Sequence, residues 1–350
     1  MTAPSKAVGG LQGIQLIVAY EGTGFSGWQL QPGRRTVQAE LESAAAAVAG
    51  HSVRMRAASR TDAGVHALGQ VVAFDSQREL PPRNWVMALN RSLPPDVAVL
   101  SARLCPPGSQ PRWQARDKTY RYLLHLGFAR NPLYRDRAWH LGKLVRRQFP
   151  DPDRTDTAVH RLDIASMREA ARALAGKHDY NAFRAADDSH RTTVRTIHEV
   201  RILERYGGSP ELLAIEVRGT AFLKNMVRII AGTLVEVGRG GMNVAQVADL
   251  LGPEARPGQA GVTAPPYGLT LVEVAQGRRD TRGRKEGQRS AYYEPSSLNR
   301  EPTPRADGIR GAERRGNARP IPNPLPSKEN RRHHLGGKPR TSVKRGRPGR

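Results

Sequence analysis

Between residues 14 and 100 of this 350-residue chain the apolar residues switch repeatedly between a strand-like and a helix-like period, and the order of those switches restricts the fold more than any other feature. Residues 14–20 are rich in Ile, Leu and Val and read as a strand. Thr36 is placed to cap a helix that carries Val37, Leu41, Ala44, Ala45 and Val48 and stops at Gly50. Residues 53–58 and 70–74 read as strands, Trp85, Val86 and Leu89 mark a short helix after Pro81-Pro82, and residues 97–100 form another strand. The resulting order, β-α-β-β-α-β, is that of a ferredoxin-like (RNP-like) unit.

The second half repeats this order loosely. Residues 118–126 are strand-like, and Met167, Ala170, Ala171 and Leu174 give a helix ended by Gly176. Strands over 194–203 and 212–217 flank a turn at Gly207-Gly208. A long helix is expected over 221–237, a shorter one over 244–251, and a closing strand over 269–274. Two tandem α+β units follow, residues 1–110 and 111–276, sharing a mixed, mainly antiparallel sheet. The repeat rests on element order, because sequence identity between the halves is negligible. Residues 148–157 contain Pro and Asp and read as a loop insertion. From residue 277 to 350 the chain is rich in Arg, Pro, Gly and Ser with almost no apolar periodicity. Such a segment buries too little surface to offset its ordering entropy and reads as a disordered basic tail. The tail either adds electrostatic affinity for RNA or is a solvated appendage of no specific role.

The net charge is +24, of which +14 falls after residue 276 and +10 before it. So basic a body favours a polyanionic partner, a nucleic acid or an acidic membrane surface. The single cysteine, Cys105, allows neither an intramolecular disulfide nor a cysteine-based zinc site, and fits a reduced cytosolic thiol. Residues 1–10 lack the apolar run of a signal peptide, and no stretch approaches the roughly 20 apolar residues of a spanning helix. A cytoplasmic protein is expected. The histidines form no metal-ligand pattern, and neither a G-x-S-x-G elbow nor a P-loop occurs. Any catalysis is therefore expected from carboxylate, arginine and aromatic groups, without metal.

Residues 59–70 (Ser-Arg-Thr-Asp-Ala-Gly-Val-His-Ala-Leu-Gly-Gln) hold the sharpest chemical signal. Arg60 and Asp62 lie two apart in a glycine-containing loop at a strand end, where a carboxylate beside a permanent cation suits a nucleophile or a base. The plain alternative is a loop ion pair. Arg228 lies in an apolar helical run and, if buried, needs a carboxylate, which Asp62 can supply. Two arginines near one Asp would hold it ionised. The alternative is an Arg whose head reaches water. Lys224 lies four residues before Arg228, on the same helical face. Lys118, Tyr120 and Tyr122 alternate along a strand and share a face, where an aromatic ring stacks on an extruded base or simply fills the core. Gly22-Thr23-Gly24-Phe25-Ser26-Gly27 matches a dinucleotide-binding pattern, but no helix opens at its last glycine. It reads instead as a glycine-rich loop, either contacting RNA or turning around a packed Trp28.

Five stretches resemble the TruA family of tRNA pseudouridine synthases over roughly residues 13–275. They are Tyr20-Glu21-Gly22-Thr23 with Phe25, Gly27-Trp28-Gln29 and Thr36-Val37-Gln38; Arg60-Thr61-Asp62-Ala63-Gly64-Val65-His66-Ala67 with Gly69-Gln70-Val71; Arg112-Trp113 with Ala115 and Lys118-Thr119-Tyr120-Arg121-Tyr122; His178-Asp179-Tyr180 with Phe183-Arg184; and Phe222-Leu223-Lys224-Asn225-Met226-Val227-Arg228 leading to Gly268-Leu269. Ser109-Gln110-Pro111-Arg112-Trp113 stands where the family has Phe-His-Ala-Arg-Phe, and Ile229 stands where Asn is common. The resemblance implies a pseudouridine synthase fold with a central cleft. It also implies uridine isomerisation at positions 38–40 of the tRNA anticodon stem-loop, without cofactor, by a homodimer. By the same resemblance Asp62 is the catalytic nucleophile and Arg60 holds the target nucleotide out of its stack. Tyr120 stacks on the uracil, Arg228 pairs with Asp62, and Lys118 and Lys224 bind substrate. The rival readings are a synthase acting on another RNA and a non-catalytic RNA-binding protein.

Overall fold

A computed structural model of the chain describes residues 10–142 and 162–277. The expected insertion at 148–157 and the basic tail from 278 onward lie outside these residues. Ten strands form one mixed sheet: β1 (Gln12–Tyr20), β2 (Arg56–Ala57), β3 (His66–Ser76), β4 (Val97–Cys105), β5 (Ala115–His125), β6 (Trp139–His140), β7 (Gly176–Asp179), β8 (Val194–Glu204), β9 (Leu212–Gly219) and β10 (Leu269–Gln276). Their order is β4-β1-β3-β10-β5-β9-β8-β7, with β2 beside β3 and β6 beside β5. The described helices are α1 (Val37–Ala49), α2 (Pro82–Ser92), the single turn α3 (Pro111–Gln114), α4 (Ile164–Ala173), α5 (Met226–Gly238) and α6 (Val244–Asp249). None is long and apolar enough to cross a membrane.

The first four strands lie in the order β4-β1-β3-β2, and the later set in the order β10-β5-β9-β8. Numbered within each set, both read 4-1-3-2, so the expected ferredoxin-like arrangement occurs twice. The sets join where β10 runs parallel to β3, with Thr270 opposite His66 and Leu271 opposite Ala67. That junction places the start of β3, where the Asp62 loop ends, directly against the C-terminal half. Most other pairings are antiparallel, as in Leu16 opposite Val72 and Tyr120 opposite Val217.

Local chemistry explains both ends of α1. The Thr36 side chain accepts from the Ala39 N–H, and Gly50 closes α1 at φ 78°, where a side chain would be strained. Buried Leu16, Val18, Leu41, Phe74, Trp85 and Leu89 pack between α1, α2 and the sheet, with Trp85 edge-on to Phe74. Met167, Ala170 and Ala171 of α4 and Ile230 and Leu234 of α5 build the same kind of core in the second half.

Two expected elements differ. The strand over 53–58 is reduced to Arg56–Ala57. The Met55 N–H donates to Glu42 Oε1 and its carbonyl accepts from Gln38 Nε2, so α1 side chains take the bonds a sheet neighbour would need. The helix expected over 221–237 begins only at Met226, because Asn225 is left-handed at φ 62°. Lys224 therefore precedes the helix and does not share a helical face with Arg228. Its backbone N–H goes to Asp188 Oδ2 and its carbonyl accepts from the Ala185 N–H.

Candidate active site

The loop between β2 and β3 is held from every side. Gln70 is fully buried and clamps Ser59 twice: its Oε1 accepts the Ser59 N–H at 3.2 Å and its Nε2 donates to the Ser59 carbonyl at 2.7 Å. Thr61 Oγ1 lies 2.7 Å from the Tyr20 hydroxyl, and its carbonyl accepts from the Trp28 N–H. Gly64 takes φ 79° and sits against Pro266. His66 joins three segments, its Nδ1 accepting the Gly22 N–H at 3.0 Å and its Nε2 donating to the Tyr267 carbonyl at 2.9 Å.

The glycine-rich loop that resembled a nucleotide site belongs to this support. A Cβ on Gly22 would fall 2.1 Å from the Val65 carbonyl oxygen, and one on Gly27 would fall 2.9 Å from that of Thr61. Only glycine lets the two loops approach so closely. Trp28 is buried and tilted against Tyr20, so the loop turns around a packed Trp28, while Trp28 and Gln29 also border the cavity that Asp62 lines.

Asp62 stands at the inner edge of a cavity of about 630 Å³. Six cationic side chains line that cavity (Arg54, Arg56, Arg60, Arg112, Lys118 and Lys224), and Asp62 is its one carboxylate among the described residues. Among those residues the Asp62 carboxylate makes no hydrogen bond or ion pair, which leaves its oxygens available to a substrate. Burial pushes its pKa up, the charges of Arg228 and Lys224 pull it down, and Asp187 adds to the rise; the net direction is upward. The expectation of a depressed pKa is thus reversed, since desolvation outweighs two cations that act through space and not by contact.

Of the six residues expected in the site, Arg60, Asp62, Lys118, Tyr120 and Lys224 border the cavity. Arg60 is exposed at its mouth. Tyr120 is buried and edge-on to Phe222 at 5.2 Å, with its hydroxyl 2.9 Å from Ser59 Oγ. Burial raises its pKa to about 12, Ser59 offsets part of that rise and Asp62 adds to it, so the ring remains a neutral phenol near neutral pH. Lys118 donates to the same Ser59 Oγ at 3.3 Å, and burial, helped by Arg112, lowers its pKa to about 8. Tyr122 is fully buried and bonds the Pro265 carbonyl, which gives it the core role.

Arg228 is the sixth and does not line the cavity. Its Nε donates to the Ala264 carbonyl at 2.7 Å and its Nη1 to Asn225 Oδ1 at 2.8 Å. The expected direct pair with Asp62 is replaced by a charge acting through space, because backbone and amide acceptors already hold the guanidinium. Lys224 has a contact partner, Asp187 Oδ2 at 2.6 Å. Ser59, Phe222 and Asp187 were missed by sequence reasoning. Ser59 and Phe222 lay within stretches singled out in the sequence but were given no role, whereas nothing distinguishes a loop Asp whose partner is distant in sequence. No group of three His, Cys, Asp or Glu side chains among the described residues is arranged to hold a metal ion.

A protein-family profile described as tRNA pseudouridine synthase matches residues 16–109 and 170–275. The chain is 45% identical over 263 residues to tRNA pseudouridine synthase A of Geobacter sulfurreducens, covering 75% of this chain and 98% of the relative. It is 44% identical over 261 residues to the protein of the same name from Myxococcus xanthus, covering 75% of this chain and 91% of the relative. With a loop-borne carboxylate facing a cation-lined cavity, and with this similarity along nearly the whole of its relatives, the chain belongs to the TruA family of tRNA pseudouridine synthases.

Proposed function

We propose that this protein converts uridines at positions 38–40 of the tRNA anticodon stem-loop to pseudouridine, with Asp62 as the catalytic carboxylate. The observation that carries the reading is the unpaired Asp62 carboxylate in a cavity that six arginine and lysine side chains also line. The cations suit an RNA backbone, and a carboxylate without a protein partner is free to act on the sugar or base. In the isomerisation the N1–C1′ bond breaks, the uracil turns, and C5 bonds to C1′; C5 then loses its proton and N1 gains one. No oxidant or reductant is consumed.

Residue roles follow from position. A uridine must leave its stack to reach Asp62, at a cost of a few kcal/mol. Arg60, exposed at the mouth, suits holding the vacated place in the RNA. The neutral Tyr120 ring, with its hydroxyl tied to Ser59, is preorganised to stack on the uracil. Lys118 and Lys224 suit anionic oxygens of the substrate. Arg228 acts on Asp62 by charge alone, favouring the ionised form that reacts. Whether Asp62 attacks the sugar or ring, or assists elimination at the sugar, the same carboxylate is used. In this reading residues 1–110 supply the catalytic loop, residues 111–276 complete the cleft, and a homodimer acts on cytoplasmic tRNA.

The test is to incubate unmodified tRNA with the protein and map pseudouridine by carbodiimide adducts and primer extension. Product at positions 38–40 is expected. Product confined to other positions or to another RNA would overturn the substrate assignment, and none in any RNA would overturn the activity.

A further inference from the structure

Trp113 is 74% exposed, while Trp28 and Trp85 are buried at 2% and 0%. An indole left in water is unusual on a structured surface, and the backbone turn that carries this one is well anchored. Pro111 is buried at the start of α3, and the Trp113 N–H donates to the Gln110 carbonyl at 3.0 Å. Upstream, Arg56 grips the Ser109 carbonyl with Nε while both its Nη atoms hold Asp75 at 2.8 and 2.9 Å. Downstream, the Gly277 N–H donates to the Gln114 carbonyl at 3.1 Å. The turn is thus tied at both ends, and the ring it presents packs against no other aromatic among the described residues.

Gln110, Arg112 and Trp113 border the same cavity as Arg60, Asp62 and Tyr120. Arg112 is exposed and has no ion pair or hydrogen bond among the described residues. A flat apolar ring and a free guanidinium on adjacent residues, beside a cation-lined cavity, match the two faces of a nucleotide. We infer that Trp113 is a stacking platform for a second, unpaired base of the substrate RNA, distinct from the target uracil, with Arg112 on an adjoining phosphate. The inference rests on the proposed RNA substrate. Removing one base from its stack exposes a neighbour, and an exposed aromatic ring on an anchored turn offers that neighbour a new partner. Stacking is tolerant of base identity because every base has a π face, so this subsite contributes affinity across tRNAs of different sequence.

The test measures binding and turnover of unmodified tRNA by wild type and by Trp113→Ala, Trp113→Leu and Trp113→Phe, with light scattering to follow oligomeric state. Trp113→Ala is expected to raise Kd about 5- to 150-fold, the equivalent of about 1–3 kcal/mol, with the loss falling on KM more than on kcat. Phe should restore most of the affinity and Leu little, since Leu is apolar without a π face. Unchanged affinity in Trp113→Ala, or full affinity in Trp113→Leu, would overturn the inference while leaving the substrate reading intact. A change of oligomeric state in Trp113→Ala would overturn it in favour of a second copy covering the ring. Wild type inactive on tRNA would remove the substrate reading and this inference with it.

Discussion

Replacing His66 with Ala tests whether the histidine that follows the Asp62 loop is a structural clasp or an acid–base group. The ring is 5% exposed, does not border the cavity, and uses both nitrogens internally, accepting from Gly22 and donating to Tyr267. Alanine leaves the buried Gly22 N–H without a partner, at about 1–3 kcal/mol, and the partly buried Tyr267 carbonyl without one, at about 0.5–1.5 kcal/mol. The expected loss of stability is about 2–4 kcal/mol, which for a domain of this size lowers Tm by roughly 4–16 °C. Urea unfolding followed by circular dichroism should show a lower midpoint with an unchanged slope. Gln at position 66, with one acceptor and one donor, should recover part of the loss. Activity measured on the folded fraction should keep the pH limits of wild type. Unchanged stability with turnover reduced a hundredfold or more would refute the clasp and give His66 a chemical role.

Three further perturbations follow from the charges around the cavity. Asp62→Asn should raise stability at pH 8: burial raises the Asp62 pKa, so the carboxyl stabilises the fold only when protonated and that contribution is lost as pH rises through its folded value. The gain over wild type, read as a difference in Tm, should shrink toward zero at or below the ordinary carboxylate range. Lys224→Gln and Asp187→Asn should move the acid limb of kcat/KM in opposite directions, to higher pH and to lower pH respectively, because Lys224 pulls the Asp62 pKa down and Asp187 pushes it up; shifts in one direction would contradict the charge arrangement. Lys118→Met should stabilise the protein at pH 7 and not at pH values above 10. Burial depresses the Lys118 pKa to about 8, so its stabilising contribution is complete above the ordinary lysine value and lost as pH falls through about 8. The gain at pH 7, on the order of 1–3 kcal/mol after solvent screening, is readable from urea unfolding at the two pH values.

Much of this architecture was legible in the sequence where the relevant chemistry is local. Thr36 and Gly50 marked both ends of α1 because caps act within a turn or two, and residues 14–20 declared β1 because a buried central strand is apolar on both faces. Failures came where distant partners decide. Residues 53–55 have strand-like composition, yet α1 side chains take the Met55 backbone. Residues 221–225 continue the apolar pattern of α5, yet Asn225 turns left-handed where Asp188 and Ala185 capture Lys224. The Asp62 loop stood out from its own residues, but its electrostatics were misjudged. Sequence placed Arg60 and Arg228 near Asp62, whereas Arg228 and Lys224 are the cations that act on it, and the burial that outweighs them comes from the folded surroundings. Arg228 likewise appeared as a contact partner because nothing in the sequence announces that the Ala264 carbonyl and Asn225 compete for its guanidinium.

The central claim is that Asp62 performs the chemistry in a cleft built by the rest of the site. The most direct measurement is tritium release from C5-labelled uridine in unmodified tRNA, comparing wild type with Asp62→Asn, with tRNA affinity measured on both. The account predicts release by wild type, none above background by Asp62→Asn, and tRNA binding within a few-fold of wild type in the variant. Release by Asp62→Asn at a rate near that of wild type would contradict the account.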